Sequence, residues 1–116
     1  MGDLSAHFSR YEFDCKDGTK ASPDPALIAA LERLRSLAGN RPLRIVSGYR
    51  SPAYNRRVGG AVRSQHLYNR AADLVKGYAT VDQALAAGFT GVGFCGSWAV
   101  HVDVRPVKKP VVFLDC

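Results

Sequence analysis

The spacing of apolar residues changes along the chain, and the change predicts where helices and strands lie. Residues 22–25 (Ser-Pro-Asp-Pro) are typical of a helix start. Over residues 26–37, apolar side chains recur at positions 27, 31, 34 and 37, a helical stripe that predicts one buried face. A short helix is predicted over 52–58, and another over 80–87, where Thr80 provides a cap.

The second half of the chain favours strands, with β-branched and aromatic residues between turn signals. Strands are predicted over residues 43–47, 71–75, 90–94, 99–105 and 111–114. Residues 95–97 (Cys-Gly-Ser) predict a turn that joins two of them in a hairpin. A helix followed by such strands predicts an α+β fold, with a small, mainly antiparallel sheet and helices packed on one side.

The length of 116 residues predicts a single domain spanning 1–116, which we expect to be a monomer. The 47% of hydrophobic residues is enough for a folded core. The chain contains no run of about 18 apolar residues, so no transmembrane segment is predicted. The first residues show no basic region followed by an apolar stretch, so no signal peptide is visible. We therefore expect a protein that is cytoplasmic until released, or one that acts at the cell wall after export by another route.

The chain is basic, with 16 Lys and Arg against 10 Asp and Glu, a formal net charge of +6. A basic surface suits polyanions, among them nucleic acids and the acidic polymers of a bacterial wall. No nucleic-acid-binding motif accompanies the charge, so we expect no nucleic-acid partner. A soluble domain that is merely basic is the simpler alternative.

Three cysteines, Cys15, Cys95 and Cys116, are widely separated and form no Cys-x-x-Cys pair. An odd number with this spacing predicts neither a disulfide framework nor a structural zinc site. Cys15 is expected to be a half-buried reduced thiol, with metal ligation as the alternative.

The chemistry of the chain centres on His66, Asp73 and His101. Two imidazoles and one carboxylate are a typical ligand set for catalytic zinc, which keeps a fourth position open for water. The alternative is that the histidines are ordinary surface or hydrogen-bonded residues and that Asp73 caps a turn. Asp103 lies two residues after His101, so in a strand both side chains project from the same face. It is expected either to orient a ligand or to accept a proton. The remaining histidine, His7, is expected to be a surface residue.

Between residues 8 and 105 the chain contains a series of short motifs: Ser47-Gly48-Tyr49-Arg50-Ser51, Asn55, Gly59-Gly60, Ser64-x-His66 to Asp73, Gly91-Val92-Gly93-Phe94 and His101-Val102-Asp103. The series resembles the zinc D-alanyl-D-alanine carboxypeptidase family, which includes phage endolysins that cut L-alanyl-D-glutamate bonds and is related to the hedgehog signalling domain. The resemblance implies that His66, Asp73 and His101 bind Zn²⁺. It also implies that the substrate is a peptidoglycan peptide.

Two departures from the family pattern concern the site. Asn69 stands where the family usually has Gly, and Asn tolerates the left-handed backbone that Gly would supply. Many members have an acidic general base three residues before the second His, where this chain has Trp98, and others have a His at the position of Ala99. Asp103 is then the acidic candidate for the catalytic base, and a salt bridge to an arginine is the alternative role for it.

Substrate contacts are predicted for Arg50, Ser64 and Gln65. The resemblance places Arg50 beside the metal cleft, where its guanidinium can clamp a carboxylate in bidentate fashion; a surface arginine in a turn is the alternative. Ser64 and Gln65 either hydrogen-bond the substrate or shape the loop. The sequence thus predicts a zinc peptidase acting on peptidoglycan stem peptides, of phage or prophage lysin type. A non-catalytic wall- or protein-binding module of the same fold is the rival prediction.

Overall fold

The computed structural model describes residues 2–116 and has a five-stranded sheet and three α-helices. The helices are α1 (Pro25–Leu37), α2 (Pro52–Arg57) and α3 (Val81–Ala86), and single 3-10 turns cover Arg10–Phe13 and Gln65–Tyr68. The strands are β1 (Ile45–Ser47), β2 (Ala71–Leu74), β3 (Gly91–Cys95), β4 (Trp98–Asp103) and β5 (Val111–Leu114).

The strands lie in the order β1-β2-β4-β3-β5. The pairs β1–β2, β2–β4 and β3–β4 are antiparallel, whereas β5 runs parallel to β3. The predicted α+β class with a mainly antiparallel sheet is therefore confirmed, and the parallel strand at one edge is an addition to it.

Helix α1 forms the main apolar layer against the sheet. Asp24 caps it by accepting a hydrogen bond from the Ala26 N–H, and proline occupies its first turn, where no donor is lost. Leu27, Leu31 and Leu34 of the predicted stripe are buried, while Leu37 at the end of the helix is half exposed. The stripe thus attaches α1 to a core that also contains side chains of β2, β3 and β4.

The sheet has an apolar face and a polar face. Ala72, Val102 and Val92 are neighbours on adjacent strands, and all three are fully buried in the core. The next register row contains Asp73 and His101, which therefore project from the opposite face. This alternation separates the hydrophobic core from the functional residues by the thickness of one sheet.

Two glycines of β3 leave room on the polar face for side chains of neighbouring segments. A Cβ on Gly91 would collide with the carboxylate of Asp103, and a Cβ on Gly93 would lie 2.9 Å from the Cβ of His101. Real Cβ atoms do not approach other heavy atoms this closely, so side chains from β4 occupy the space above the two glycines. The Gly-x-Gly spacing follows from the two-residue period of a strand.

The structure corrects the expectation for the cysteines. Cys95 and Cys116 form a disulfide, with a Cα–Cα distance of 5.0 Å. Cys95 ends β3, and Cys116 closely follows β5, which pairs with β3 in parallel. Strand pairing thus brings together two residues that are 21 apart in sequence, a proximity that the spacing alone did not indicate. Cys15 is a free thiol, as expected, and it is fully buried rather than half-buried.

Among the described residues, no helix has the length and apolar character needed to cross a bilayer.

We expect Gly91→Ala to lower the free energy of unfolding by about 1–3 kcal/mol, the usual cost of overpacking, because its methyl group would displace the Asp103 carboxylate. Chemical denaturation would measure the change. In the Asp103→Ala background the same substitution should cost much less, since the obstructing carboxylate is gone. An equal cost in both backgrounds would show that this contact does not constrain the strand.

Candidate metal centre

His66 is held by the 3-10 turn Gln65–Tyr68. Ser64 caps this turn by accepting a hydrogen bond from the His66 N–H, and Asn69 closes it in the left-handed conformation, with φ 59°. The prediction that Asn69 would supply the backbone geometry of a glycine is therefore confirmed. The imidazole is buried, and its Nδ1 lies 2.6 Å from the carbonyl oxygen of Gly48. This contact leaves Nε2 as the nitrogen available to a metal.

Asp73 and His101 are directly opposite each other on β2 and β4. His101 Nδ1 lies 3.1 Å from Asp73 Oδ1, and His66 Nε2 lies 3.2 Å from the same oxygen. One ligand atom from each of the three residues lies within 4.8 Å of the others. The predicted triad is thus brought together by one loop and two paired strands.

Asp103 lies behind His101, on the far side of the imidazole from Asp73. Its Oδ2 is 2.7 Å from His101 Nε2, and its two oxygens also accept hydrogen bonds from the guanidinium of Arg105 at 2.6 and 2.8 Å. Asp103 has no exposed surface. This position fits the orienting role considered for Asp103, and it includes the salt bridge with Arg105 that was the alternative.

The donor set fits a zinc ion. Each imidazole has one nitrogen engaged by a backing oxygen, from Gly48 or Asp103, and the other nitrogen directed at Asp73. Such backing contacts fix the tautomer and orientation of metal-binding histidines. Two nitrogens and one carboxylate oxygen are a ligand set typical of catalytic zinc.

The charges of these groups depend on one another. Burial opposes the charged form of His101, but hydrogen bonds with Asp103 and Asp73 outweigh it and raise the pKa of His101 to about 9. Burial likewise opposes ionisation of Asp73, but hydrogen bonds from His101 and His66 hold the pKa of that carboxyl well below its usual range. For Asp103, burial is outweighed by Arg105 and His101, and the pKa is again held low.

The triad opens into a cleft of about 530 Å³, which we call the metal cleft. It is lined by Arg50, Ala61, Arg63, Ser64, Gln65, His66, Asp73, His101, Arg105, Val111, Phe113 and Asp115. All three residues predicted to contact substrate, Arg50, Ser64 and Gln65, therefore border the cleft. Trp98 does not; it lies at the start of β4, where it pairs with Cys95.

Arg50 and Gln65 present different polar groups to the cleft. The guanidinium of Arg50 lies 3.6 Å from Asp73 Oδ2 and donates a hydrogen bond to the side-chain oxygen of the buried Asn55 at 3.3 Å. Gln65 Oε1 is buried and accepts no hydrogen bond from the described residues. Arg50 is thus held in place beside the triad, and Gln65 offers an unused acceptor.

Sequence reasoning missed several residues that complete the cleft. The carbonyl of Gly48 orients His66 through its backbone, which no side-chain pattern could reveal. Phe113 packs against His101 with ring centroids 5.5 Å apart, and Asp115 lies just beyond it. Strand β5 was predicted, but its parallel pairing with β3, which places these side chains at the site, was not.

Comparison with known proteins identifies the family of the chain. The family model described as Peptidase M15 matches residues 6–103. The match covers the three candidate ligands and ends at Asp103, so β5 lies beyond it.

Curated relatives include two peptidases of the bacterial cell wall. The chain is 38% identical over 73 residues to the zinc D-Ala-D-Ala carboxypeptidase of Streptomyces albus G, covering 57% of this chain and 29% of the relative. It is 34% identical over 113 residues to the peptidoglycan L,D-endopeptidase MepK of Escherichia coli K12, covering 88% of this chain and 60% of the relative. The chain therefore spans less than two thirds of either relative.

The raised pKa of His101 predicts how pH affects the chelator-treated protein. Its folded value of about 9 lies above the ordinary 6.5, so the stabilisation from the charged imidazole is fully present below pH 6.5 and lost as the pH rises through 9. Urea unfolding at pH 6, 7.5 and 9 should therefore show a falling free energy of unfolding. His101→Gln should show a flatter dependence, and equal slopes for the two proteins would contradict the assignment.

Proposed function

Because the chain belongs to the peptidase M15 family, we propose that it is a zinc-dependent peptidase that hydrolyses peptide bonds in peptidoglycan stem peptides. The observation that carries the proposal is the convergence of His66, Asp73 and His101 in the lining of one cleft. The cell-wall substrates named for the two relatives give the class of substrate. A D,D-carboxypeptidase or an endopeptidase, including a phage or prophage lysin, fits this assignment.

His66 Nε2, His101 Nδ1 and an oxygen of Asp73 would hold the zinc ion. Zinc held by these residues would supply Lewis-acid polarisation of the scissile carbonyl and would make water a stronger nucleophile near neutral pH. Gly48 and Asp103 keep the two rings in position from behind. Since Asp103 is fully buried and both of its oxygens are engaged, we assign it the positioning of His101 rather than proton transfer.

The cleft residues would bind the peptide. Arg50 carries a charge beside the triad and would clamp a carboxylate of the stem peptide, because a guanidinium offers two parallel donors. Gln65 Oε1 would accept a hydrogen bond from a substrate N–H, which would satisfy its buried acceptor. Ser64 shapes the His66 turn and borders the same space.

We further propose that the protein acts at the bacterial cell wall. Disulfides persist in oxidising surroundings and are rare in the reducing cytoplasm, so the Cys95–Cys116 bond supports a location outside the cytoplasm. Its net charge of +6 favours contact with the acidic polymers of the wall.

Mass spectrometry of peptidoglycan digested with the purified protein tests the function and identifies the bond. We expect release of peptide fragments, loss of release on adding a chelator, and recovery with zinc. His101→Ala should bind zinc at least a hundredfold more weakly and release nothing, because three ligands leave no redundancy. Metal analysis of both proteins provides the control. Stoichiometric zinc without any release from peptidoglycan would instead favour the binding module.

Arg50→Lys tests the carboxylate clamp. The substitution keeps the charge but removes the two-pronged donor geometry, so turnover of a wall peptide should fall by about tenfold or more with zinc content unchanged. Arg57→Lys is a matched control, since Arg57 is exposed and does not border the cleft. Equal kinetics for wild type and Arg50→Lys would return Arg50 to the role of a surface residue in a turn.

A further inference from the structure

The site described so far contains no group suited to moving the proton during hydrolysis. Asp73 is a ligand candidate, Asp103 is buried behind His101, and Trp98 lies outside the metal cleft. Among the described residues that line the metal cleft, Asp73 and Asp115 are the acidic ones. Building on the proposed peptidase function, we propose that Asp115 is a catalytic residue that accepts and returns this proton.

Strand geometry places Asp115 at the site. Val111, Phe113 and Asp115 all line the cleft, as expected for residues two apart along an extended segment. Gly93 is the β3 partner of both Phe113 and His101. The point where a Cβ of residue 93 would stand is 2.9 Å from Asp115 Oδ2 and 2.9 Å from the Cβ of His101. The carboxylate and the ligand side chain thus converge above the same glycine.

The surroundings of Asp115 leave its carboxylate free to react. Asp115 is exposed, and no described residue forms an ion pair or a hydrogen bond with its carboxylate. Asp103 differs on both points, because it is fully buried and its oxygens are engaged by His101 and Arg105. A general base must reach both water and substrate, and of these two carboxylates only that of Asp115 meets the cleft.

Asp115 is also held in place. Its N–H donates a hydrogen bond to the carbonyl oxygen of Phe94 at 2.8 Å, which continues the pairing of β5 with β3. The next residue, Cys116, is bonded to Cys95 at the end of β3. The disulfide therefore restrains the segment that carries Asp115. Pairing of an exposed edge strand would restrain that segment less firmly without the disulfide.

The proposed step is a balanced hydrolysis. As the oxygen of a water molecule attacks the scissile carbonyl carbon, Asp115 takes one proton from that water. When the C–N bond breaks, the protonated Asp115 gives the proton to the departing nitrogen. One water is consumed, an acid and an amine are formed, and the Asp115 carboxylate is regenerated.

Asp115→Asn removes the basic oxygen at nearly constant size. We expect kcat on a wall peptide to fall by roughly a hundredfold or more, while zinc content and thermal unfolding stay those of the wild type. Asp82→Asn is the matched control, because Asp82 is an exposed carboxylate in α3 outside the cleft, and it should retain wild-type activity. Asp115→Ala should regain part of its rate when formate is added, since a small carboxylate can fill the gap.

The disulfide is tested separately. Cys116→Ser should lower kcat with zinc content unchanged, because the segment holding Asp115 loses its restraint. In the Asp115→Asn background the same change should have little further effect, since the positioned group is already absent.

The outcomes separate this inference from the proposed function. An active wild type with Asp115→Asn at the same rate would overturn the role of Asp115 and leave the peptidase assignment standing. If Asp115→Asn loses zinc or stability, formate decides: recovery of Asp115→Ala supports the role, and no recovery overturns it. A zinc-loaded wild type that cleaves no peptidoglycan would overturn both proposals.

Discussion

The contact on which the site depends is the sharing of one carboxylate oxygen by two imidazoles. Asp73 Oδ1 lies within 3.2 Å of His66 Nε2 and of His101 Nδ1. This arrangement is held by charge, since the His101 cation compensates the half-buried Asp73 carboxylate. A bound cation would take over that compensation, and the same atoms would then serve as its ligands. Either a proton on His101 or a bound metal cation can supply the positive charge that Asp73 needs. This explains how a polar cluster is tolerated on a sheet face.

The backing contacts extend this arrangement away from the cleft. Asp103 is a fully buried carboxylate, a costly placement unless its oxygens are satisfied. His101 and Arg105 satisfy them, so the negative charge of Asp103 behind the His101 ring is compensated by cations. The His101 ring is therefore fixed by contacts at both nitrogens, and its orientation does not depend on loop conformation.

The parts of this structure that could be predicted from the sequence are those encoded by local patterns. The stripe of α1 follows from helical periodicity, and the left-handed Asn69 follows from the chemistry of that residue. The grouping of His66, Asp73 and His101 was indicated by their donor chemistry and supported by the resemblance, since a spacing of seven residues does not by itself bring side chains together. The pairing of β5 with β3 depends on contacts between distant segments, so neither the Cys95–Cys116 bond nor the approach of Asp115 could be predicted from spacing.

The two glycines of β3 make room for the side chains of the site. Gly91 and Gly93 carry no side chain, and side chains from the neighbouring segments fill the space above them. Even alanine, the smallest replacement, would put a methyl group where a carboxylate or a ligand side chain now lies. An engineer who wishes to reshape the substrate preference of this protein should therefore leave these positions unchanged and vary the rim, where Arg63 and Val111 are exposed. The functional side chains of the site fit here because β3 carries no side chains at Gly91 and Gly93.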